Sequence, residues 1–377
     1  MVLAVALIFI GGCLSGGVLV ALLVRNSRKV RSFISKKLSE KETAAAAVQI
    51  RLAGGPNLVT VGGGTGLSTL LRGLKSYTRN ITALVTVTDE GGSSGRLVRD
   101  WGMLPPGDIR NCLVALSENG DQLSPLFNFR FDKGDISGHS LGNLILLAAT
   151  ELTGDFKNAV KMVNGLLAIR GRVLPITTEY VTLVADTKSG NVYRGELAIA
   201  EHGREICRIR LEPAGVKPVK EAISVLDDAD MIILGPGSLF TSVIPNLLVE
   251  DFARALREVH VPIVYVTNLM TQPGETSGMT QMHHIQWVAH SLGRYPDVVV
   301  VNEDEVPEPL CEKYKAQGAV PLKLSRADEE FLYTQDCKVY RTSLLRIING
   351  SVVRHNSARL AEALMRLYRK YDEGEPI

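Results

Sequence analysis

The strongest chemical signal in the sequence is a run of four glycines and a threonine, GGGTG, at positions 62–66. Glycines let a backbone approach a ligand closely, and a helix that begins at such a loop aims free N–H groups at an anion. The run lacks the third glycine of the dinucleotide fingerprint and the Gly-Lys-Ser/Thr ending of a Walker loop. We therefore expect Gly63, Gly64, Thr65 and Gly66 to bind phosphate; the alternative is a tight turn that binds nothing.

A second glycine-rich segment, DEGGSSGR at 89–96, combines acidic side chains with possible anion ligands. Asp89 and Glu90 follow a predicted strand, where a carboxylate accepts ribose hydroxyls or holds a divalent cation. Ser93 and Ser94 could cradle an anion, and Arg96 could neutralise its charge. The segment predicts a ligand site with Asp89 as a candidate metal ligand; the alternative is a charged loop over a helix start.

Four further polar segments follow predicted strands or open predicted helices, at 105–111, 138–143, 235–238 and 268–272. The third, GPGS, has the form of a second strand-to-helix anion loop. Asp108 could instead only cap a helix, and His139 and Ser140 are a poor catalytic pair because neighbours in sequence rarely face each other. The candidate ligand-binding residues of these segments are Asp108, Asn111, His139, Ser140, Asn143, Gly235, Pro236, Gly237, Ser238, Asn268, Thr271 and Gln272.

Five short apolar runs would form the strands that position these segments: 58–61, 81–87, 231–234, 263–266 and 298–301. Continuous apolar strands between helices predict a parallel sheet covered on both faces. Ligands of such sheets bind outside the carboxyl ends of the strands. Hairpin signals between 173 and 213 predict a β-rich insertion. Leucine spacing predicts a final amphipathic helix, 357–371, capped by Ser357.

The first 24 residues are uncharged and almost wholly apolar, and a basic segment begins at Arg25. A helix of this length spans the ~30 Å hydrocarbon core of a bilayer, whereas a cleaved signal peptide needs a preceding basic region and a shorter apolar core. Basic residues stay on the cytoplasmic side. We therefore predict a transmembrane helix at 1–24, a basic juxtamembrane tether at 25–56, and a cytoplasmic domain anchored to the cell membrane by this single span.

The composition is that of a folded protein without a nucleic-acid surface. Apolar residues make up 45% of the chain and charged residues 22%, which is enough to bury a full core. The formal net charge of +2 is too small for the basic stripe that a nucleic-acid partner requires. Five scattered cysteines without a C-x-x-C pair indicate reduced thiols, not a disulfide framework or a zinc site.

Seven ordered motifs closely resemble the gluconeogenesis-factor family, also called YvcK/CofD-like. They are GGGTGLS (62–68), DEGGSSGRL (89–97), PPGDIRN (105–111), GHSLGNL (138–144), GPGSLFTSVIPNLL (235–248), NLMTQPGET (268–276) and VVNEDEVP (300–307). The resemblance implies a Rossmann-like three-layer α/β domain that binds a UDP-sugar such as UDP-N-acetylglucosamine. It also implies a role in cell-envelope synthesis and cell shape during gluconeogenic growth. We assign this CofD-like domain to 57–350 and a C-terminal helix to 351–377.

The resemblance further implies roles for individual residues. The loops at 62–66 and 235–238 would hold phosphates, and 268–272 would approach the base or sugar. Enzymatic relatives transfer 2-phospho-L-lactate from a nucleotide donor to a deazaflavin acceptor with magnesium, and place an acid at the position of Asp89. Two departures stand out: Glu90 replaces the second acid of the usual Asp-Asp pair, and Met279 stands in a segment where relatives carry an aromatic that helps to hold the UDP-sugar.

A site rich in anion loops but poor in an obvious nucleophile or general base favours a regulatory binding protein over an enzyme. Such a protein would bind a UDP-sugar or related nucleotide without a required cofactor, with Mg²⁺ as an optional addition. We expect it to be a homo-oligomer that acts on envelope-synthesis proteins at the membrane. The alternative is a transferase of the 2-phospho-L-lactate type, with Asp89 and Glu90 as its catalytic residues. A nicotinamide oxidoreductase is disfavoured by the failed fingerprint.

Overall fold

The computed structural model describes residues 40–202 and 205–375 of the chain. Two compact units are distinguished, Met1–Gly54 and Gly55–Ile377. In the first unit the described residues form one helix, α1 (Glu40–Ala53). All of the predicted site residues belong to the second unit.

Among the described residues of the second unit, seven parallel strands form the central sheet and five further strands lie outside it. The central strands are β1 (Leu58–Gly62), β2 (Ile81–Val85), β3 (Arg172–Pro175), β7 (Met231–Leu234), β8 (Ile263–Val266), β9 (Val298–Asn302) and β10 (Lys338–Thr342). The others are β4 (Thr182–Thr187), β5 (Val192–Arg194), β6 (Ile206–Glu212), β11 (Leu345–Ile348) and β12 (Val352–His355). The five strands predicted from apolar runs are all present, and β3 and β10 extend the sheet at its two edges.

Helices connect the strands in the pattern expected for an α/β protein. They are α2 (Gly64–Leu74), α3 (Gly92–Trp101), α4 (Gly107–Leu116), α5 (Gly120–Phe127), α6 (Leu141–Thr153), α7 (Phe156–Leu166), α8 (Glu196–His202), α9 (Lys220–Asp227), α10 (Ile244–Leu247), α11 (Glu250–Glu258), α12 (Gln281–Leu292), α13 (Glu308–Ala316), α14 (Arg326–Thr334) and α15 (Ser357–Asp372). A π-helical turn, Leu239–Val243, leads into α10.

The order of the central strands places a topological switch point beside β1. The order is β10-β9-β8-β7-β1-β2-β3, so the chain first winds outward from β1 through β2 to β3 and then returns to β7 on the other side of β1. Val59 pairs with Thr82 on one neighbour and with Ile232 on the other. The loops after β1 and β7 therefore diverge at one crevice, which is where open α/β sheets bind ligands.

Both faces of the sheet are covered, as the continuous apolar strands predict. In β1, Leu58 belongs to the core that packs under α2, α4, α6 and α15, while Val59 and Val61 belong to the core under α9, α11 and α12. Because side chains alternate along a strand, each apolar run supplies both cores. The predicted Rossmann-like three-layer α/β class is confirmed.

The β-rich insertion is present, but it is shorter than predicted. Residues 172–175 form the edge strand β3 of the central sheet, and the separate three-stranded antiparallel sheet comprises β4, β5 and β6, from Thr182 to Glu212. Its predicted turn at 188–191 joins β4 to β5. Helix α8 follows β5 and belongs to the same insertion.

The C-terminal segment consists of more than the predicted helix. The antiparallel hairpin β11–β12 occupies 345–355, so the helix begins at Ser357, and Asn356 caps it by accepting the backbone N–H groups of Ala358 and Arg359. Leu360 and Leu364 of this helix are completely buried in the core shared with α2. The segment is part of the compact second unit.

The predicted membrane anchor is corrected. Within the described part of the chain, no helix combines the length and the apolar character needed to cross a bilayer. The segment assigned to the span, 1–24, and residues 25–39 of the tether lie outside the described residues. The prediction of a single N-terminal span, with its transmembrane helix and its membrane localisation, is therefore not supported.

Candidate functional site

A cavity of about 320 Å³ lies at the carboxyl ends of β1, β7 and β8, in the crevice of the switch point. Its walls come from the first turn of α2, the loop after β7 and the loop after β8. Eight predicted residues line it: Thr65, Gly66, Pro236, Gly237, Ser238, Asn268, Thr271 and Gln272. The structure thus brings three separately predicted segments into one site.

Two glycines allow the first two walls of the cavity to meet. A Cβ atom on Gly66 would lie 2.4 Å from the carbonyl oxygen of Pro236, well inside contact distance. Gly235 has a φ of +72°, a conformation that L side chains rarely adopt. The glycines therefore fix the approach of α2 to the loop after β7, and the first-turn N–H groups of α2 lack partners within their own helix.

The third wall is held in place by its own hydrogen bonds. The Thr271 hydroxyl accepts the backbone N–H of Val320 at 2.8 Å, and the Thr271 N–H donates to the Val320 carbonyl at 2.8 Å. The Gln272 N–H donates to the Thr276 hydroxyl at 2.8 Å. The backbone of this loop is thus fixed, and Asn268 and Gln272 line the cavity as candidate ligand contacts.

The C-terminal hairpin completes the cavity with residues that the sequence motifs missed. Arg354 and His355 of β12 and Tyr314 of α13 line it. The Tyr314 hydroxyl accepts the Val353 N–H at 2.9 Å and so joins α13 to the hairpin.

Burial lowers the pKa of His355 to about 4, and its Nε2 contacts the Thr267 carbonyl at 3.2 Å, so the ring is neutral near pH 7. Arg354 is the exposed cation of this wall. Arg354 lines the cavity only because the chain folds the hairpin against it, and no sequence motif marks this residue.

The aromatic residue of the cavity is Tyr314, not a residue near Met279. Met279 packs against the core on the α12 face of the sheet, and it does not line this cavity. The aromatic side chain in this cavity therefore comes from a different element than the one expected from the resemblance.

A second group of predicted residues forms a carboxyl cluster next to the first turn of α2. Asp89 accepts the Ser94 hydroxyl at 2.7 Å and the Gly91 N–H at 2.8 Å. Asp108 accepts the backbone N–H of Gly64, and Glu196 of the insertion helix α8 shares a hydrogen bond with Asp89. Asp108 lies in the first turn of α4, after the N-cap, and its carboxylate reaches across to α2.

Poor solvation and the nearby negative charge of Asp89 raise the pKa values of two carboxyl groups in the cluster, Asp108 and Glu196. Burial and the charge of Asp89 raise the pKa of Asp108 to about 7. The same two causes raise the pKa of Glu196 to about 8. Burial also raises the pKa of Glu90. Sequence reasoning missed Glu196, since its signal is only a short helix in the insertion.

The remaining predicted polar residues stabilise this half of the site through a buried arginine. Arg110, also missed, donates to the Ser140 hydroxyl at 2.5 Å, to the Asn143 side chain at 2.8 Å and to the Asn111 side chain at 2.9 Å. The side-chain oxygens of Ser140, Asn143 and Asn111 thus accept hydrogen bonds within the protein, and a buried network of this kind supports neighbouring loops.

Two further contacts connect this network to the segment 89–96. His139 Nδ1 lies 3.0 Å from the Ser93 hydroxyl, and burial, followed by the charge of Arg96, lowers the His139 pKa. Arg96 donates to the Ser137 carbonyl at 2.6 Å. His139 therefore pairs with Ser93 and not with Ser140, and the bonds of Arg96 and His139 position the loop.

Among residues 40–202 and 205–375, no group of three or more His, Cys, Asp or Glu side chains could hold a metal ion. Asp89 as a metal ligand stays a prediction. Magnesium commonly takes one or two protein carboxylates and completes its shell with ligand phosphates and water. Asp89 fits that role chemically, because it adjoins the α2 loop that is proposed to face phosphate.

The geometry and the motifs agree with a known family. The family model described as "2-phospho-L-lactate transferase CofD" matches residues 58–345. The chain belongs to this family. The predicted family resemblance is confirmed, and the matched range ends before the hairpin residues that complete the cavity in this CofD-family protein.

Relatives of known name and structure show the same assignment. The gluconeogenesis factor of Bacillus subtilis (strain 168) is 43% identical over 317 residues, covering 84% of this chain and 99% of the relative. The gluconeogenesis factor of Halalkalibacterium halodurans is 40% identical over 322 residues, covering 85% and 97%. The crystal structure of a UPF0052-family protein from Bacillus halodurans is similar, with a TM-score of 0.78 and 40% identity, covering 82% of this chain and 99% of that one.

Proposed function

We propose that this CofD-family protein is a gluconeogenesis factor that binds a UDP-sugar, UDP-N-acetylglucosamine, and thereby regulates cell-envelope synthesis and cell shape during gluconeogenic growth. The observation that carries the proposal is the composition of the cavity at the switch point. It combines the first turn of α2, an exposed guanidinium and two amide side chains in one crevice. These are the groups that a negatively charged diphosphate and a polar base or sugar require.

Each part of a UDP-sugar has a complementary wall. The N–H groups of the α2 first turn and the Arg354 guanidinium supply positive charge for the diphosphate. Asn268 and Gln272 supply both donors and acceptors for a base or sugar edge. Tyr314 supplies an aromatic ring for the same ligand. Envelope-synthesis partners and a homo-oligomer stay predictions.

Calorimetric titration of the full chain with UDP-N-acetylglucosamine, with and without Mg²⁺, tests the proposal. We expect saturable binding to one site per chain, with the nucleotide recovered intact at the end. A protein that shows no heat of binding, or that consumes the nucleotide, would contradict a binding regulator. The same titration with GDP is the control for base preference.

A second candidate, a transferase of the 2-phospho-L-lactate type, is favoured by the carboxyl cluster. Asp89, Asp108 and Glu196 adjoin the α2 loop, and an ionised carboxylate among them could accept the proton of an attacking acceptor hydroxyl. Asp89 would also be placed to hold magnesium at the phosphate. Incubation with a guanosine phospholactate donor and a deazaflavin acceptor, followed by chromatography, tests it: product formation supports transfer, and an unchanged donor contradicts it.

A further inference from the structure

The carboxylate of Glu275, which follows β8, binds to the loop after β7. Glu275 is 4% exposed, and its carboxylate accepts the Phe240 N–H at 2.7 Å and the Ser238 hydroxyl at 2.5 Å. The backbone N–H of Thr241 is a third donor. The carboxylate therefore lies at the amino end of the turn Leu239–Val243 and occupies donors that a strand-to-helix anion loop offers to a ligand.

This internal carboxylate makes the loop a poor phosphate site. A phosphate at the same amino end would have to displace Glu275 from two backbone N–H groups or lie beside its charge in a weakly solvated position. Like charges at short distance in such surroundings repel strongly. The sequence motif GPGS at 235–238 predicts an anion loop, and the structure shows that three donors of this loop and the turn after it are already bonded to Glu275.

Glu275 also determines whether the Ser238 hydroxyl can donate or accept a hydrogen bond in the cavity. A serine hydroxyl has one proton and two lone pairs. The Ser238 proton is donated to Glu275, and one lone pair accepts the Thr241 hydroxyl at 2.8 Å. Ser238 lines the cavity. What it can still offer there is a lone pair, so the ligand group that meets it must be a donor.

The opposite wall of the cavity offers hydrogen-bond donors, whereas Ser238 offers an acceptor. Thr65 and Gly66 lie in the first turn of α2, where backbone N–H groups donate. Arg354 adds a guanidinium, which can only donate; its Nη1 donates to the Val353 carbonyl at 3.0 Å. A phosphate oxygen, which only accepts, matches this wall and not the Ser238 wall. The two sides of the cavity are therefore chemically distinct.

We propose that Glu275 is the positioning residue that orients the ligand: it makes Ser238 an acceptor for a hydroxyl or N–H group of the ligand's ribose, sugar or base, and leaves the phosphates to α2 and Arg354. This inference rests on the proposed nucleotide-sugar function and deepens it by assigning a ligand part to each wall. All three groups that touch Glu275 are donors, which is the arrangement of an ionised carboxylate. Burial raises its pKa, and these hydrogen bonds oppose that shift.

The test separates the two ligand parts by using two probes, UDP-N-acetylglucosamine and inorganic pyrophosphate. Ser238→Ala removes the acceptor and is expected to weaken UDP-N-acetylglucosamine binding about 10-fold, the size of one good hydrogen bond, while pyrophosphate affinity stays within about twofold. Ser277→Ala is the matched control, because Ser277 is exposed, accepts only the Gly274 N–H in the same loop, and does not line the cavity. It should change neither affinity.

Glu275→Gln provides a second, nearly isosteric variant. The glutamine oxygen can still accept the Phe240 N–H, while its NH₂ group donates to Ser238 and turns the serine proton towards the cavity. We expect UDP-N-acetylglucosamine affinity to fall about 10-fold and pyrophosphate affinity to hold or rise, because a negative charge is removed. A merely structural role would lower both affinities together.

The outcomes distinguish this inference from the proposed function. Equal weakening of both probes by Ser238→Ala would overturn the inference, as would failure of the unsubstituted protein to bind pyrophosphate. Failure to bind UDP-N-acetylglucosamine alone would contradict the proposed function, and the pyrophosphate comparison would still decide the inference. In that case a pyrophosphate affinity that falls with Glu275→Gln would overturn the inference, and one that rises because the negative charge is removed would support it.

Discussion

The two halves of the site, the cavity and the carboxyl cluster, meet at the first turn of α2 but carry side chains of opposite charge. On the cavity side, Arg354 is exposed and lines the cavity, and its guanidinium is bonded to the Val353 carbonyl. On the cluster side, Asp89, Asp108 and Glu196 are hydrogen-bonded to neighbouring protein groups, and burial raises the pKa of the latter two. An anion is therefore attracted to one side of α2 and repelled from the other.

This contrast shows that similar glycine-rich motifs need not bind the same ligand part. The segments 62–66, 89–96 and 235–238 all have the sequence of an anion loop. In the structure, carboxylates take hydrogen bonds at each of them: Asp108 at Gly64, Asp89 at Ser94, and Glu275 at Ser238. The position of an exposed cation, here the Arg354 guanidinium, then determines which loop favours a phosphate.

The largest expected effect concerns the cation of the cavity. Arg354→Ala should weaken UDP-N-acetylglucosamine binding by about 10- to 100-fold, because a charge-assisted hydrogen bond contributes about 1.5–3 kcal/mol. Calorimetric titration measures the change. Arg346→Ala, an exposed arginine in β11 of the same hairpin and outside the cavity, is the control and should bind normally. Equal loss in both variants would mean that the hairpin charge acts at long range and that the cavity is not special.

The next effect concerns the contact between the two cavity walls. Gly66→Ala places a Cβ against the Pro236 carbonyl and should lower the unfolding free energy by about 1–3 kcal/mol, the usual cost of overpacking. Thermal unfolding followed by circular dichroism measures it. Gly165→Ala in α7 is the control, since a Cβ there meets open space, and it should stabilise the protein by about 0.5–1 kcal/mol. A stable Gly66→Ala protein would contradict the close approach.

A smaller effect concerns the protons of the carboxyl cluster. The pKa of Glu196 is about 8 in the folded protein, above its ordinary value of 4.5, so the folded state binds more protons than the unfolded state between these values. Its contribution to the unfolding free energy therefore falls as pH rises through that window. Glu196→Gln cannot ionise, so its Tm relative to the unsubstituted protein should rise from pH 5 to pH 9.

The control for this pH experiment lies on the same helix. Glu201 is exposed on α8 and its side chain contacts His202, so Glu201→Gln should leave the pH dependence of Tm unchanged. A Glu196→Gln protein with the same pH dependence as the unsubstituted protein would show that Glu196 does not hold a proton of the cluster.

The smallest expected effect separates the two halves of the site directly. Asp89 contacts Ser94 and Gly91 and does not line the cavity, so Asp89→Asn should change UDP-N-acetylglucosamine affinity by less than about twofold. In an assay of phospholactate transfer the same variant would be inactive if the carboxyl cluster is catalytic. Asp100→Asn, an exposed acid on α3, is the control. A large loss of affinity would join the two halves into one binding site.

The sequence predicted the parts of the fold that depend on local pattern. The apolar runs identified the five inner strands of the sheet, since a strand buried on both faces needs continuous apolar residues. The edge strands β3 and β10 were missed, because strands such as Lys338–Thr342 carry polar residues towards solvent. Ser357 was placed at the cap of the last helix, one residue after the true cap, Asn356, because helix boundaries depend on backbone geometry.

By itself, the sequence determined the sheet, the family and the loops that contain the site, because glycine spacing and apolar periodicity act over a few residues. Only the tertiary structure decided which polar groups of those loops remain free. Glu275 lies 37 residues from Ser238, and Glu196 contacts the loop at Glu90 across 106 residues. Arg354 reaches the cavity through a hairpin beyond the family match. Hydrogen bonding and charge depend on distance in space, and local sequence patterns do not encode that distance.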